Sequence, residues 1–249
     1  VIVLPMAGFS RRFTQAGYAL PKYELPVAGR PALDWSLLSF SRSFGKESLI
    51  LIFRDLPGVP AFVEERLKAC EVPDAKLIPL PAPTEGQAET VAAGLERAGV
   101  PGTEPVTVFN IDTFRPGLEL PPSPALAACD GYLETFLGEG DHWSFIEPSC
   151  PPCGRVKRVA EKERISSYCC TGLYHFASAA LYDRAYRQER AKRSSCELFV
   201  APLYQHMIES GADIRFSLIE STDVFFCGTP TEYENLRERE LDLRRAFAR

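Results

Sequence analysis

Several things are scarce in this chain. Its 249 residues include two Met, two Trp and three His. The histidines, His142, His175 and His206, are scattered with no Ser or Cys motif beside them, so they form no nucleophile–base pair and we read them as structural. Long apolar runs are missing as well. A stretch such as residues 49–53 falls far short of the ~20 residues that span a bilayer, and no segment reads as a signal peptide. Basic residues are in deficit: Lys plus Arg total 28 against 33 Asp plus Glu, and the formal charge of −5 offers no general attraction for nucleic acid or an anionic membrane. Any phosphate must therefore be met by a local site. Eight cysteines with no secretory signal do not read as a disulfide framework, which makes the cytoplasm the expected compartment.

What is present describes a globular α/β protein. Hydrophobic residues make up 45% and charged ones 24%, enough for a large core under an ordinary soluble surface. At about 150 residues per domain, the length allows one or two domains. Apolar runs at 1–4, 49–53, 76–80 and 105–109 alternate with helical spacing at 33–38, 60–70 and 85–98, which predicts βαβ units and a largely parallel sheet. The second half predicts strands at 131–137, 144–147, 155–160 and 214–219 and helices at 178–189 and 197–210. Thr229, Pro230 and Glu232 have the spacing of a capping box with proline at the first helical position, so a C-terminal helix is expected over about 230–249. No internal repeat is visible, nor the hexapeptides of a β-helix, and the expectation is a single domain over 1–249.

Chemistry-bearing residues concentrate at strand ends. Pro5-Met6-Ala7-Gly8-Phe9-Ser10-Arg11-Arg12-Phe13 makes a small-residue turn after the first strand, where open α/β sheets bind ligands, and Lys22 follows. By itself the segment also fits a plain turn with solvated arginines. It is neither a Walker loop nor the three-glycine dinucleotide fingerprint. Asp112 ends Asn110-Ile111-Asp112 just past strand 105–109, a place for a carboxylate to meet Mg²⁺ or simply solvent. Thr84 to Thr90 sits at a helix start, where Thr84 and Gln87 have capping-box spacing. Glu161-Lys162 taken alone is an exposed ion pair. Cys150 and Cys153 have the spacing of half a zinc ribbon, which Cys169 and Cys170 could complete across a hairpin; a proline-stiffened loop is the preferred reading.

Taken together, Pro5 to Phe13, Pro21-Lys22, Leu25-Pro26-Val27 and Gly29-Arg30-Pro31 resemble the N-terminal signature of the sugar-phosphate nucleotidyltransferases. The family's second signature glycine is Ser10 here. The resemblance implies a three-layer Rossmann-like α/β fold of the nucleotide-diphospho-sugar transferase type, with a mixed, mainly parallel sheet and helices on both faces. It implies transfer of NMP from an NTP to a sugar 1-phosphate, releasing pyrophosphate. The nucleotide would lie along Leu4, Ala7, Gly8, Phe9, Ser10 and Arg11, with Arg12 on the triphosphate and Lys22 on the reacting phosphate. Asp112 would hold Mg²⁺. Many members place the second metal ligand, an Asp, two residues before Gly-Thr-Pro, and here the residue two before Gly228-Thr229-Pro230 is Phe226. Asp223, with Glu220 beside it, is the nearest substitute. Gly86-Gln87-Ala88 resembles the backbone segment that packs on the base, though Pro81 lies near the place of a base-reading glutamine, which leaves the base undecided. Glu161 and Lys162 resemble the pair that holds the sugar and its phosphate, with Gly172 giving the ring room. Trp143-Ser144-Phe145, Glu197 and Pro202-Leu203-Tyr204 resemble members that make capsule and lipopolysaccharide precursors. Alternatives are a cytidylyltransferase acting on a phosphocholine-like acceptor, a nucleotide-sugar-dependent glycosyltransferase, and a nucleotide-binding module without turnover. Expected partners are small-molecule substrates, without nucleic acid or membrane, and homo-oligomerisation is left open.

Overall fold

The computed structural model describes residues 1–121, 123–149, 154–193 and 196–248. The chain forms two compact units, each assembled from three separate segments. The first takes Val1–Val3, Thr84–Phe109 and Pro121–Ser221, and the second takes Leu4–Pro83, Asn110–Leu120 and Thr222–Arg249.

The first unit is organised by the strand Tyr168–Phe176, which runs antiparallel to three others. Leu173 lies opposite Phe109, Tyr174 opposite Leu133, and Tyr168 opposite Ile146. Beyond these neighbours Val156–Glu161 pairs antiparallel with Ser144–Pro148, and Ile214–Ile219 pairs parallel with Gly131–Leu137. Val106–Phe109 also pairs in parallel with the start of the chain, Ile2 opposite Thr107. Tyr168–Phe176 was not foreseen from the sequence. Its Cys-Cys-Thr-Gly core shows neither alternation nor an apolar run, and the ladder with Gly131–Leu137 shifts register between Cys170 and Tyr174, around Gly172 at φ +99°. Phe176, Tyr182 and Tyr204 fill the core beneath it, with the rings of Phe176 and Tyr204 stacked at 4.6 Å. Tyr204 donates its hydroxyl to the His175 carbonyl at 2.8 Å, which satisfies a polar atom that burial would otherwise penalise.

The helix expected from 197 begins instead at Ala201 and ends at Glu209. Pro202 sits in its first turn, where a missing N–H does no harm and proline is favoured, so it marks the start of the helix. The helix Gln87–Arg97 also differs in detail. Gly86 is its N-cap, and the capping box read from Thr84 and Gln87 does not form; Thr84 bonds Thr90 and the Gly86 carbonyl instead.

In the second unit Leu49–Arg54 and Lys76–Leu80 pair in parallel, Ile52 opposite Ile78. Short antiparallel pairs join Pro26–Val27 to Arg30–Pro31 and Thr113–Phe114 to Phe225–Phe226. Phe13, Trp35, Phe114, Tyr233, Leu236 and Leu243 lie in one buried cluster. The C-terminal helix expected as one piece is two, Pro230–Glu238 and Glu240–Phe247, broken at Arg239. The second piece carries Leu243 into the cluster and Phe247 onto Trp35 at 5.0 Å. The capping box at Thr229 and Glu232 is present as expected.

Candidate active site

The glycine turn lies in the second unit, and backbone geometry shapes it. The Met6 N–H donates to the Ile52 carbonyl at 2.7 Å, fixing where the chain leaves the first strand. Ser10 adopts the left-handed region at φ +51° and starts the short helix Arg11–Gln15. Phe13 is buried, which leaves Arg11 and Arg12 exposed on the same short turn of helix. Phe9 is exposed, and the guanidinium groups of Arg11 and Arg54 approach its ring at 5.1 and 4.7 Å. A cavity of about 300 Å³ beside the turn is lined by residues including Gly8, Phe9, Tyr23 and Arg54. Leu4 and Ala7 are buried beneath it.

Ser10 also accepts the Lys22 N–H on its side chain at 3.1 Å, tying the turn to the lysine twelve residues on. The Lys22 ammonium lies 2.6 Å from Asp112 Oδ2, and both side chains are partly exposed. The two residues that the sequence named separately thus meet directly. Asp112 is held from several directions. Buried Ser36 donates to the carbonyls of Ile111 at 2.6 Å and Thr113 at 3.2 Å, and the Cys227 N–H donates to the Asp112 carbonyl at 2.7 Å. Gly228 presses against the carboxylate: a Cβ there would sit 2.9 Å from Asp112 Oδ2 and 3.3 Å from Glu232 Oε2. Glu232 accepts the N–H groups of Gly228 at 2.8 Å and Thr229 at 2.9 Å. Burial pushes the Cys227 thiol upward, which removes it as a competing nucleophile. Ser36 and Gly228 are the residues sequence reasoning missed. The Gly-Thr-Pro motif marked the second, while a serine inside a helix gives no signal for the first.

Asp223 lies in the exposed turn Ser221–Asp223, and its carbonyl accepts from Arg115 at 3.1 Å. The carboxylates at Gly228 are Asp112 and Glu232. Among the described residues no group of three or more His, Cys, Asp and Glu gathers in a way that could hold a metal. That is compatible with Mg²⁺, which is commonly held by one or two carboxylates, with substrate phosphates and water completing the shell. The partly exposed side chain of Asp112 fits that demand. Cys150 and Cys153 lie outside the described residues. Cys169 and Cys170 are buried, and desolvation raises both thiols.

The remaining named residues belong to the first unit. Gly86 approaches Leu198 so closely that a Cβ would stand 2.4 Å from the Leu198 carbonyl oxygen. The Ala88 N–H donates to that oxygen at 2.8 Å, and the Ala88 carbonyl accepts the buried Tyr182 hydroxyl at 2.8 Å. Gln87 opens the helix between them and is partly buried. On the strand pair, Glu161 lies opposite Ser144, whose hydroxyl donates to the Glu161 carboxylate and lies 3.3 Å from the Tyr174 hydroxyl. Lys162 follows in the left-handed region at φ +54°, its N–H donating to the Trp143 carbonyl at 2.9 Å. Its ammonium sits 4.0 Å from the centre of the Phe199 ring. Gly172 occupies the register shift of Tyr168–Phe176. The histidines read as structural are placed as follows: His175 hydrogen-bonds Thr107 at 2.9 Å, His206 bonds Glu189 at 2.8 Å, and His142 packs on Trp143.

No described helix is long and apolar enough to cross a membrane. Comparison with curated proteins gives no match. Residues 2–120 match the family model of the MobA-like NTP transferase domain. Among solved structures, a nucleoside-diphosphate-sugar pyrophosphorylase from Vibrio cholerae RC9 is similar at 40% identity, with 96% of this chain and 100% of that chain covered and a TM-score of 0.89. A UDP-glucose pyrophosphorylase complexed with UDP-glucose shares 15% identity over 96% of this chain and 97% of that one, with a TM-score of 0.76. An inositol-1-phosphate CTP transferase from T. maritima shares 14% identity over 98% and 95%, with a TM-score of 0.72. The last two show that the fold is shared, an α/β Rossmann-like arrangement with a mixed sheet. With the near-complete match to the Vibrio protein, the chain belongs to the NTP transferase family of nucleoside-diphosphate-sugar pyrophosphorylases, the sugar-phosphate nucleotidyltransferases.

Proposed function

We propose that this protein transfers NMP from an NTP to a sugar 1-phosphate, forming an NDP-sugar and pyrophosphate. The observation that carries the reading is the 2.6 Å contact of Lys22 with Asp112, which brings the lysine of the glycine-turn segment onto the carboxylate after a separate strand. In this mechanism an oxygen of the acceptor phosphate attacks the α-phosphorus of the NTP in line. The bond from the α-phosphorus to the bridging oxygen breaks, and pyrophosphate leaves with that electron pair. A phosphate monoester with a second pKa near ~6 is already largely ionised at neutral pH, so no general base is required. The protein's part is positioning and charge stabilisation.

Arg12 contacts the triphosphate and Lys22 the reacting phosphate, while Leu4 and Ala7 to Arg11 line the nucleotide and Gly86-Gln87-Ala88 pack on the base. Glu161 holds the sugar, Lys162 its phosphate, and Gly172 leaves room for the ring. Asp112, with Asp223 as second carboxylate, would hold Mg²⁺, which neutralises phosphate charge when bound. In this reading the product is an activated sugar for capsule or lipopolysaccharide, made in the cytoplasm where NTPs are available.

The test is a pyrophosphate-release screen of four NTPs against sugar 1-phosphates, inositol 1-phosphate and phosphocholine. Release with a sugar 1-phosphate is the expected result. Release only with a non-sugar phosphate would replace the acceptor class. No release with any pair, despite NTP binding, would leave a binding module, and transfer from an NDP-sugar without pyrophosphate would make the protein a glycosyltransferase.

A further inference from the structure

The segment ahead of the helix Ala201–Glu209 is a strap, and it is anchored at two places. Leu198, 2% exposed, trades two backbone hydrogen bonds with the start of the helix Gln87–Arg97: its N–H donates to the Glu85 carbonyl at 3.0 Å, and its carbonyl accepts from Ala88 at 2.8 Å. The missing side chain of Gly86 lets the two backbones meet. Phe199 stands between Leu198 and Val200, both buried, so its own backbone has little freedom. Its ring carries the Lys162 ammonium at 4.0 Å from the centroid. Lys162 in turn holds a left-handed backbone at φ +54°, a conformation unfavourable for a residue with a Cβ.

A lysine on a four-carbon stem loses rotamer freedom when it binds an anion, and a surface that already restrains it reduces that loss. An aromatic face suits the task. It attracts the cation through the ring quadrupole but accepts no strong hydrogen bond, so the ammonium keeps its charge and its three donors for a phosphate. We infer that Phe199 is a positioning residue: it presets Lys162 for the acceptor phosphate, and the strap references that lysine to the Glu85–Ala88 segment. The inference rests on the proposed function for the identity of the acceptor, and on geometry alone for the contact.

Two measurements test it. With whichever of glucose 1-phosphate, inositol 1-phosphate or phosphocholine turns over, Phe199→Leu should raise the acceptor KM about tenfold and leave the NTP KM within about twofold, while Phe199→Tyr restores the acceptor KM. In a Lys162→Met background Phe199→Leu should add nothing. Equal rises in both KM values, a fall in kcat alone, a tighter acceptor KM, or no rescue by tyrosine would overturn the inference. The second measurement does not depend on turnover. Lysines are dimethylated with ¹³C, and the Lys162 resonance is assigned by its loss in Lys162→Arg. It should be displaced by the ring current in the native protein and in Phe199→Tyr, and return to the common lysine position in Phe199→Leu. Inorganic phosphate should move it at lower concentration in the native protein than in Phe199→Leu. A resonance indifferent to Phe199, or one that phosphate moves equally in both proteins, overturns the inference even if no acceptor is ever found.

Discussion

The two units hold their cations in opposite ways. In the second, Lys22 is set against a carboxylate at 2.6 Å, and the partners offset each other's charge. In the first, Lys162 rests on an aromatic ring, which leaves its charge intact. The supports differ in the same sense. Asp112 is pinned by Cys227 and Gly228, and the residues on either side of it by Ser36, all from distant parts of the sequence. Glu161 ends a strand with Ser144 directly across, and Lys162 follows it. A charge-compensated pair must exchange partners when a phosphate arrives, whereas a cation on a ring can accept one at once. In the proposed reaction the pair in the second unit would serve the group that reacts, and the lysine on the ring in the first unit the group that waits.

On that contrast, substitutions around Asp112 should change turnover and spare the fold, while those around Gly86 should change the fold. The largest effect is expected for Lys22→Ala, which should lower pyrophosphate release by about a hundredfold or more, near ~3 kcal/mol of barrier, with an unchanged melting curve. Near-native turnover would remove Lys22 from the mechanism. Next is Gly86→Ala, whose Cβ would meet the Leu198 backbone at 2.4 Å. Denaturant titration should show a loss of about 3 kcal/mol, at the upper end of what overpacking costs; an unchanged midpoint would mean the strap is not fixed there.

Stability should also fall in acid. Burial lowers the His175 pKa to about 4, while the unfolded chain takes up that proton near 6.5. The stability contributed by the neutral ring is therefore fully present above about 6.5 and is lost as pH falls toward 4. Between pH 7 and 5 the loss should be about 2 kcal/mol. Denaturation of His175→Gln should lack that component, and an identical pH slope in both proteins would refute it. The smallest effect is Gly228→Ala, where the added methyl must displace Asp112 Oδ2 from 2.9 Å. Turnover should fall about tenfold, ~1.4 kcal/mol, with the melting temperature nearly unchanged. A large loss of stability instead would erase the distinction between the two regions.

How much of this could be read from the sequence depended on how local each cause was. The strands Leu49–Arg54 and Val106–Phe109 are apolar runs and were legible as such. The capping box at Thr229 is a three-residue code and was legible too. Tyr168–Phe176 was not, because its strand character comes from three partners distant in sequence rather than from its own pattern. The strap before Ala201 was readable in principle from Pro202, and the helical spacing around it concealed the signal. The residue types Lys22 and Asp112 stood out through family resemblance, but their contact depends on how distant segments of the chain fold together. Nothing local marks Ser36, whose role exists only once Ile111 and Thr113 are folded around it.

Because each unit is stitched from three segments, the order of synthesis matters. Asp112 leaves the ribosome long before Cys227, whose N–H holds its carbonyl, and before Gly228, which packs against its carboxylate. At ~5–20 residues per second the interval is roughly ten seconds. During that time a nascent chain carries an acidic loop without its last supports, and Phe13 and Trp35 lack Tyr233, Leu236 and Leu243 from their cluster. The surroundings of Asp112 are thus completed by the final stretch of the message, and a chain released early would carry the signature segment without the contacts that fix this carboxylate.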